Sequence, residues 1–112
     1  MEFQNFERIR MLIREAIEHL NEMGRQDGQA LVPVFVDARN LLKNAYPSRS
    51  AKILILSAAN QRIASVEKST KSWNSSGNRV KSTEIFHLVR LRQICGEISN
   101  LIMDEIDHSR NR

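Results

Sequence analysis

Residues 82–106, STEIFHLVRLRQICGEISNLIMDEI, decide how this chain is read. Leu88, Leu91, Cys95, Ile98, Ile102 and Ile106 return every three or four residues, the spacing of one face of an α-helix. Val89, Ile94 and Leu101 add a second apolar flank, so this helix needs more than one neighbour. Within one domain that makes it the centre of a bundle; between two copies the surplus flank would be a dimer seam. Ser82 or Thr83 opens it, with Glu84 in the first turn, where the helix dipole favours an anion.

Three further helical segments precede it. The first spans about Phe3 to Met23, with Phe6, Ile9, Ile13, Ile17 and Leu20 on one stripe, widened by Leu12 and Ala16. Gly24 is a stop and Asp27-Gly28 a turn. The second begins near Val32-Pro33, where proline is tolerated in a first turn, and presents Val34, Ala38, Leu41, Leu42 and Ala45 before Pro47 ends it. Ser48 or Ser50 caps the third, whose face is Ile53, Leu56, Ala59, Ile63 and Val66. Leu54 and Ile55 make its start apolar on every side, which predicts the centre of the core there. The expected fold is all-α: an antiparallel four-helix bundle in a single domain over residues 1–112, with a long loop at 69–81 between the third and fourth segments.

With 112 residues, 41% hydrophobic and 27% charged, the chain has the composition of one globular domain rather than of a disordered one. Its longest apolar run, Ile53 to Leu56, falls far below the roughly 20 residues that span a bilayer. The start, MEFQNFERIR, lacks the cationic tip and apolar stretch of a secretory signal, so a cytosolic location without membrane contact is expected. The single cysteine, Cys95, reads as a small core hydrophobe.

Charge is segregated along the chain. Residues 1–37 carry a net charge of −3 and residues 93–112 a net −2, whereas residues 38–92 carry net +9 within an overall +4. One reading is that acidic ends pack beside the basic middle and screen it. The other is a basic face for an acidic partner. Arg39 and Lys43 lie four apart, Arg49 and Lys52 three apart, and Arg62 and Arg90 follow on the third and fourth helices. His87, Arg90 and Gln93 share one line that avoids the Leu88 and Leu91 seam. The loop region adds Lys68, Lys71, Arg79 and Lys81 around Trp73, the only tryptophan. That ring is a stacking platform for an unpaired base, an anchor for a protein partner, or a plug over the bundle end.

Chemistry-bearing patterns are sparse. His19, His87 and His108 are far apart and without paired-ligand spacing, and HExxH, CxxC, glycine-rich phosphate loops and GxSxG are absent, so neither cofactor nor metal is expected. Gly96, inside the fourth helix, reads as a site of close helix packing. Arg14 to His19, REAIEH, resembles the arginine-four-residue-histidine signature of small helical ribonucleases of the HEPN class. Only those two residues carry the resemblance, and five residues along a helix separate them by about 140°. The expected function is therefore non-enzymatic: a small regulatory or accessory protein whose basic middle binds an acidic protein, with homodimerisation through the fourth helix. The alternatives are a nucleic-acid-binding protein contacting phosphates and, third, a small helical ribonuclease.

Overall fold

The computed structural model describes residues 2–43, 49–73 and 79–110. Four long helices carry the fold: α1 (Glu2–Met23), α3 (Val32–Lys43), α4 (Arg49–Ser72) and α5 (Ile85–Arg110). A single turn, α2 (Gln26–Gln29), bridges α1 and α3, and a 3-10 turn at Ser82–Glu84 leads into α5. Each of α1 and α4 packs against both α5 and α3, closing a four-membered ring of helices. Neighbours run antiparallel. Asn5 bonds to Glu105 and Glu15 to Arg90 across α1 and α5, while Ser99 bonds to Asn60 and Arg92 to Thr70 across α5 and α4. The four-helix bundle expected from apolar spacing is thus the observed architecture.

The core follows the stripes that the sequence displays. Phe6, Ile9, Leu12, Ile13, Ala16 and Leu20 of α1 meet Leu56, Ala59, Ile63 and Val66 of α4 and the whole expected seam of α5. Ile94 is also fully buried and Leu101 partly so, because α5 borders two helices at once. Ile94 and Leu101 of the second flank therefore serve the bundle. Only Val89 of that flank stays exposed, beside Ile85 and Phe86.

Gly24 does end α1: its φ of 67° lies in the left-handed region that a side chain disfavours. Pro33 sits in the first turn of α3, as expected. On α3 the buried face is Phe35, Ala38 and Leu42, with Val34 and Leu41 at its edge, a rotation that the apolar list alone did not resolve. Ser50 lies inside α4 rather than before it; Ala45, Pro47 and Ser48 fall outside the described residues.

Three expectations need correction. The apolar start of α4 is not wholly buried: Leu56 is in the core, yet Leu54 is 72% exposed, since a helix bordered on two sides leaves its far side to solvent. Gly96 does not admit a close neighbour, for a Cβ there would meet nothing within 4 Å. The loop begins later than residue 69, because α4 continues to Ser72. Its terminal hydroxyls turn back onto their own helix, Thr70 Oγ1 donating to the Glu67 carbonyl at 2.7 Å and Ser72 Oγ to that of Ser69 at 2.8 Å. Residues 74–78 of that loop lie outside the described part of the chain.

Candidate functional site

Of the eleven residues expected to form one binding surface, the ten whose side chains the structure describes are distributed around the bundle. Trp73 is 3% exposed. Its ring lies under the Arg25 guanidinium, 4.7 Å from its centroid, and against Gly28 of α2. Arg25 is fixed in turn by two bonds to Asp27, at 2.8 and 2.9 Å, and by the Arg79 carbonyl at 3.2 Å. These contacts make the tryptophan a plug over the end of the bundle. Neither a base-stacking platform nor an exposed anchor remains in this arrangement.

Lys52 points inward. Its Nζ lies 3.2 Å from Glu105 Oε2 and 5.4 Å from the Phe6 ring centroid, with both charged side chains buried. Arg90 forks onto Glu15 through Nε and Nη2, and reaches Glu97 at 3.5 Å. Glu15 belongs to the acidic first part of the chain and Glu97 and Glu105 to the acidic last part. For Lys52 and Arg90, then, charge segregation in sequence becomes ion pairing between helices, which is the screening alternative.

Elsewhere the cations are peripheral. Lys71 pairs loosely with Glu67 at 3.7 Å, Arg62 Nη1 donates to the Ala58 carbonyl at 3.0 Å, and Lys43, Lys68, Arg79 and Lys81 are exposed. Arg62 also borders a shallow recess of about 240 Å³ with Asp37, Asn40 and Leu41. The side chain of Arg49 lies outside the described residues.

Arg39 has a different setting. It closes an open groove of about 260 Å³ between α1 and α3, lined also by Glu7, Arg10, Met11 and Arg14. The Nε atoms of Arg10 and Arg39 are both buried and have no hydrogen-bond partner. Arg10 Nη1 reaches Glu7 at 3.4 Å, leaving one carboxylate among three guanidinium groups in the lining. Lys43 stands one turn beyond Arg39 on the same helix. Arg10 was not singled out in the sequence, and Arg14 was read only as half of the ribonuclease-like signature, because both sit in a segment whose net charge is negative.

Arg14 and His19 do not converge. Arg14 lines the α1–α3 groove, whereas His19 faces α5, where its Nδ1 lies 2.8 Å from Nδ1 of His87. The rotation of about 140° between them separates them onto two surfaces, so the resemblance to the ribonuclease signature is not matched by a shared site. The two histidines that do meet are 68 residues apart in the chain.

No family model, curated protein or solved structure matches this chain. Among the described residues, no helix is long and apolar enough to cross a membrane.

Proposed function

We propose that this protein is a small non-enzymatic adaptor or regulatory protein that binds an acidic segment of a protein partner in the groove between α1 and α3. The observation that carries this reading is the gathering of three guanidinium groups, Arg10, Arg14 and Arg39, with one carboxylate in the lining of an open groove. A carboxylate entering the groove makes charge-assisted hydrogen bonds to these guanidinium groups, which are stronger than bonds between neutral groups. Arg14 and Lys43 extend the cationic surface on either side.

A protein is favoured over a nucleic acid by the rest of the lining. Met11, 57% exposed, offers apolar contact within the groove, which the side chains of a peptide can use and a phosphate backbone cannot. Burial of Trp73 takes away the aromatic on which an unpaired base would stack.

The test is fluorescence anisotropy with a labelled Asp- and Glu-rich peptide and, separately, with single-stranded and duplex oligonucleotides over a range of salt. Saturable peptide binding that disappears in Arg39→Glu with Lys43→Glu, at unchanged helix content, is the expected result. Binding that survives both substitutions overturns the assignment. Oligonucleotide binding that weakens steeply with salt and disappears in the same variant replaces it with the nucleic-acid reading.

A further inference from the structure

His19 lies in the penultimate turn of α1 and His87 in the opening turn of α5, and the antiparallel packing sets their rings against each other. Their Nδ1 atoms are 2.8 Å apart. Behind His19, Nε2 lies 3.2 Å from Glu15 Oε2, a carboxylate held in place by the fork of Arg90. Behind His87, Nε2 lies 3.6 Å from Glu22 Oε2.

The tautomers decide what this arrangement can hold. An ionised carboxylate only accepts hydrogen bonds, so His19 Nε2, 3.2 Å from Glu15, is held as N–H; His87 Nε2, at 3.6 Å from Glu22, is beyond hydrogen-bond reach and is not fixed in this way. In a neutral imidazole the other nitrogen is then a lone pair. His19 Nδ1 thus presents a lone pair to His87 Nδ1 across 2.8 Å: with His87 protonated on Nδ1 the contact is a hydrogen bond, and with His87 in the other tautomer the two lone pairs share a cation. That cation is a shared proton or a metal ion.

We infer that His19, His87 and Glu22 form a binding site for a divalent transition-metal ion, zinc foremost, which clamps the end of α1 to the start of α5. One ligand atom from each of the three lies within 4.8 Å of the others. Imidazole nitrogen and carboxylate oxygen form a donor set suited to zinc. Tetrahedral zinc at ordinary bond lengths sets its nitrogens about 3.3 Å apart, so the rings need to part by about half an ångström.

Glu22 is free to complete the set. It follows His19 by three residues on the same face of α1, and its side chain is 65% exposed, so its carboxylate can turn from His87 Nε2 toward the ion. Glu15 stays behind His19, where a carboxylate on the distal nitrogen fixes the orientation of the ring. Phe86 sets its ring edge-on to both imidazoles, at 5.9 and 5.4 Å between centroids. Three protein ligands leave one coordination position for water. This site lies between α1 and α5, apart from the α1–α3 groove, and stands or falls independently of the proposed partner binding.

The experiment is titration of the tag-free chain with zinc chloride by calorimetry and with cobalt chloride by visible absorption. One equivalent per chain is expected, with the absorption of four-coordinate cobalt and a raised thermal midpoint on loading. Affinity should fall at least tenfold in His19→Ala and in His87→Ala and remain unchanged in His108→Ala. Absence of saturable binding near neutral pH overturns the inference and assigns the gap to a proton. So does binding that persists in both histidine variants. If either variant loses its helix content, the native chain still decides: zinc must shift the imidazole resonances of His19 and His87 together and leave those of His108, and equal shifts in all three mean adventitious binding only.

Discussion

Lys52 and Glu105 form a charged pair inside the bundle, their side chains 10% and 4% exposed and Nζ 3.2 Å from Oε2. The contact is Coulombic rather than a directed hydrogen bond, since Oε2 accepts none, while Oε1 accepts from Asn5 Nδ2 at 2.8 Å. It ties the start of α4 to the end of α5, and Asn5 adds the start of α1.

Breaking this pair from one side leaves a buried charge without its partner. Lys52→Met alone is expected to lower unfolding free energy by about 3 kcal/mol, while Lys52→Met with Glu105→Leu recovers most of that loss. Urea midpoints of the two variants and the parent check this. Single and double variants of equal stability would mean that the pair is not coupled.

Trp73 should behave as a core residue. Its emission is expected to be blue-shifted and indifferent to oligonucleotides, and Trp73→Ala to cost about 3–5 kcal/mol. A red-shifted emission quenched by a soluble quencher would contradict the burial under Arg25.

Acid should weaken the clamp between α1 and α5. The hydrogen bonds that Arg90 donates to Glu15 hold its carboxyl near about 2, below an ordinary 4.5. The unfolded chain therefore takes up this proton first as pH falls, so the stabilisation is complete above the ordinary value and is lost on the way down to about 2. Glu15 is about a third exposed, and solvent screening reduces the effect to on the order of 1 kcal/mol. Comparing urea midpoints at about pH 6 and about pH 3 should show a smaller drop for Glu15→Gln than for the parent. An identical drop would place the acid sensitivity in other groups.

Cys95 is expected to resist thiol reagents in the folded protein. Burial, with a smaller contribution from Glu67, pushes its thiol up to about 12, and the reactive species is the thiolate. Rapid labelling at mildly alkaline pH without denaturant would show that α5 opens locally; labelling only on unfolding is the expected behaviour.

The helices were legible in the sequence because apolar spacing is a local property: Phe6, Ile9 and Ile13, or Leu91, Cys95 and Ile98, declare a buried face whatever covers it. Gly24 and Pro33 marked boundaries for equally local reasons, a left-handed φ and a first turn that needs no N–H. Charge was different. The basic middle was visible as a total, but Lys52 and Arg90 found acids in distant segments while Arg39 found Arg10 and Arg14, and a tally along the chain cannot say which helix faces which.

The histidine pair makes the same point. Glu15, His19 and Glu22 share one face of α1, and His87 and Arg90 one line of α5, so each half was present as a pattern. His19 and Glu22 have the spacing of two ligands on one helix face, but the second imidazole lies 68 residues away. Only the antiparallel contact of α1 with α5 brings the two Nδ1 atoms to 2.8 Å. The sequence by itself determined the four helices and the residues that make the core, because the hydrophobic effect acts on periodicity and does not ask for a particular neighbour. Which charges are neutralised, which guanidinium groups share a groove and which imidazoles meet were decided by tertiary packing, because hydrogen bonds and ion pairs act only over a few ångströms between particular atoms.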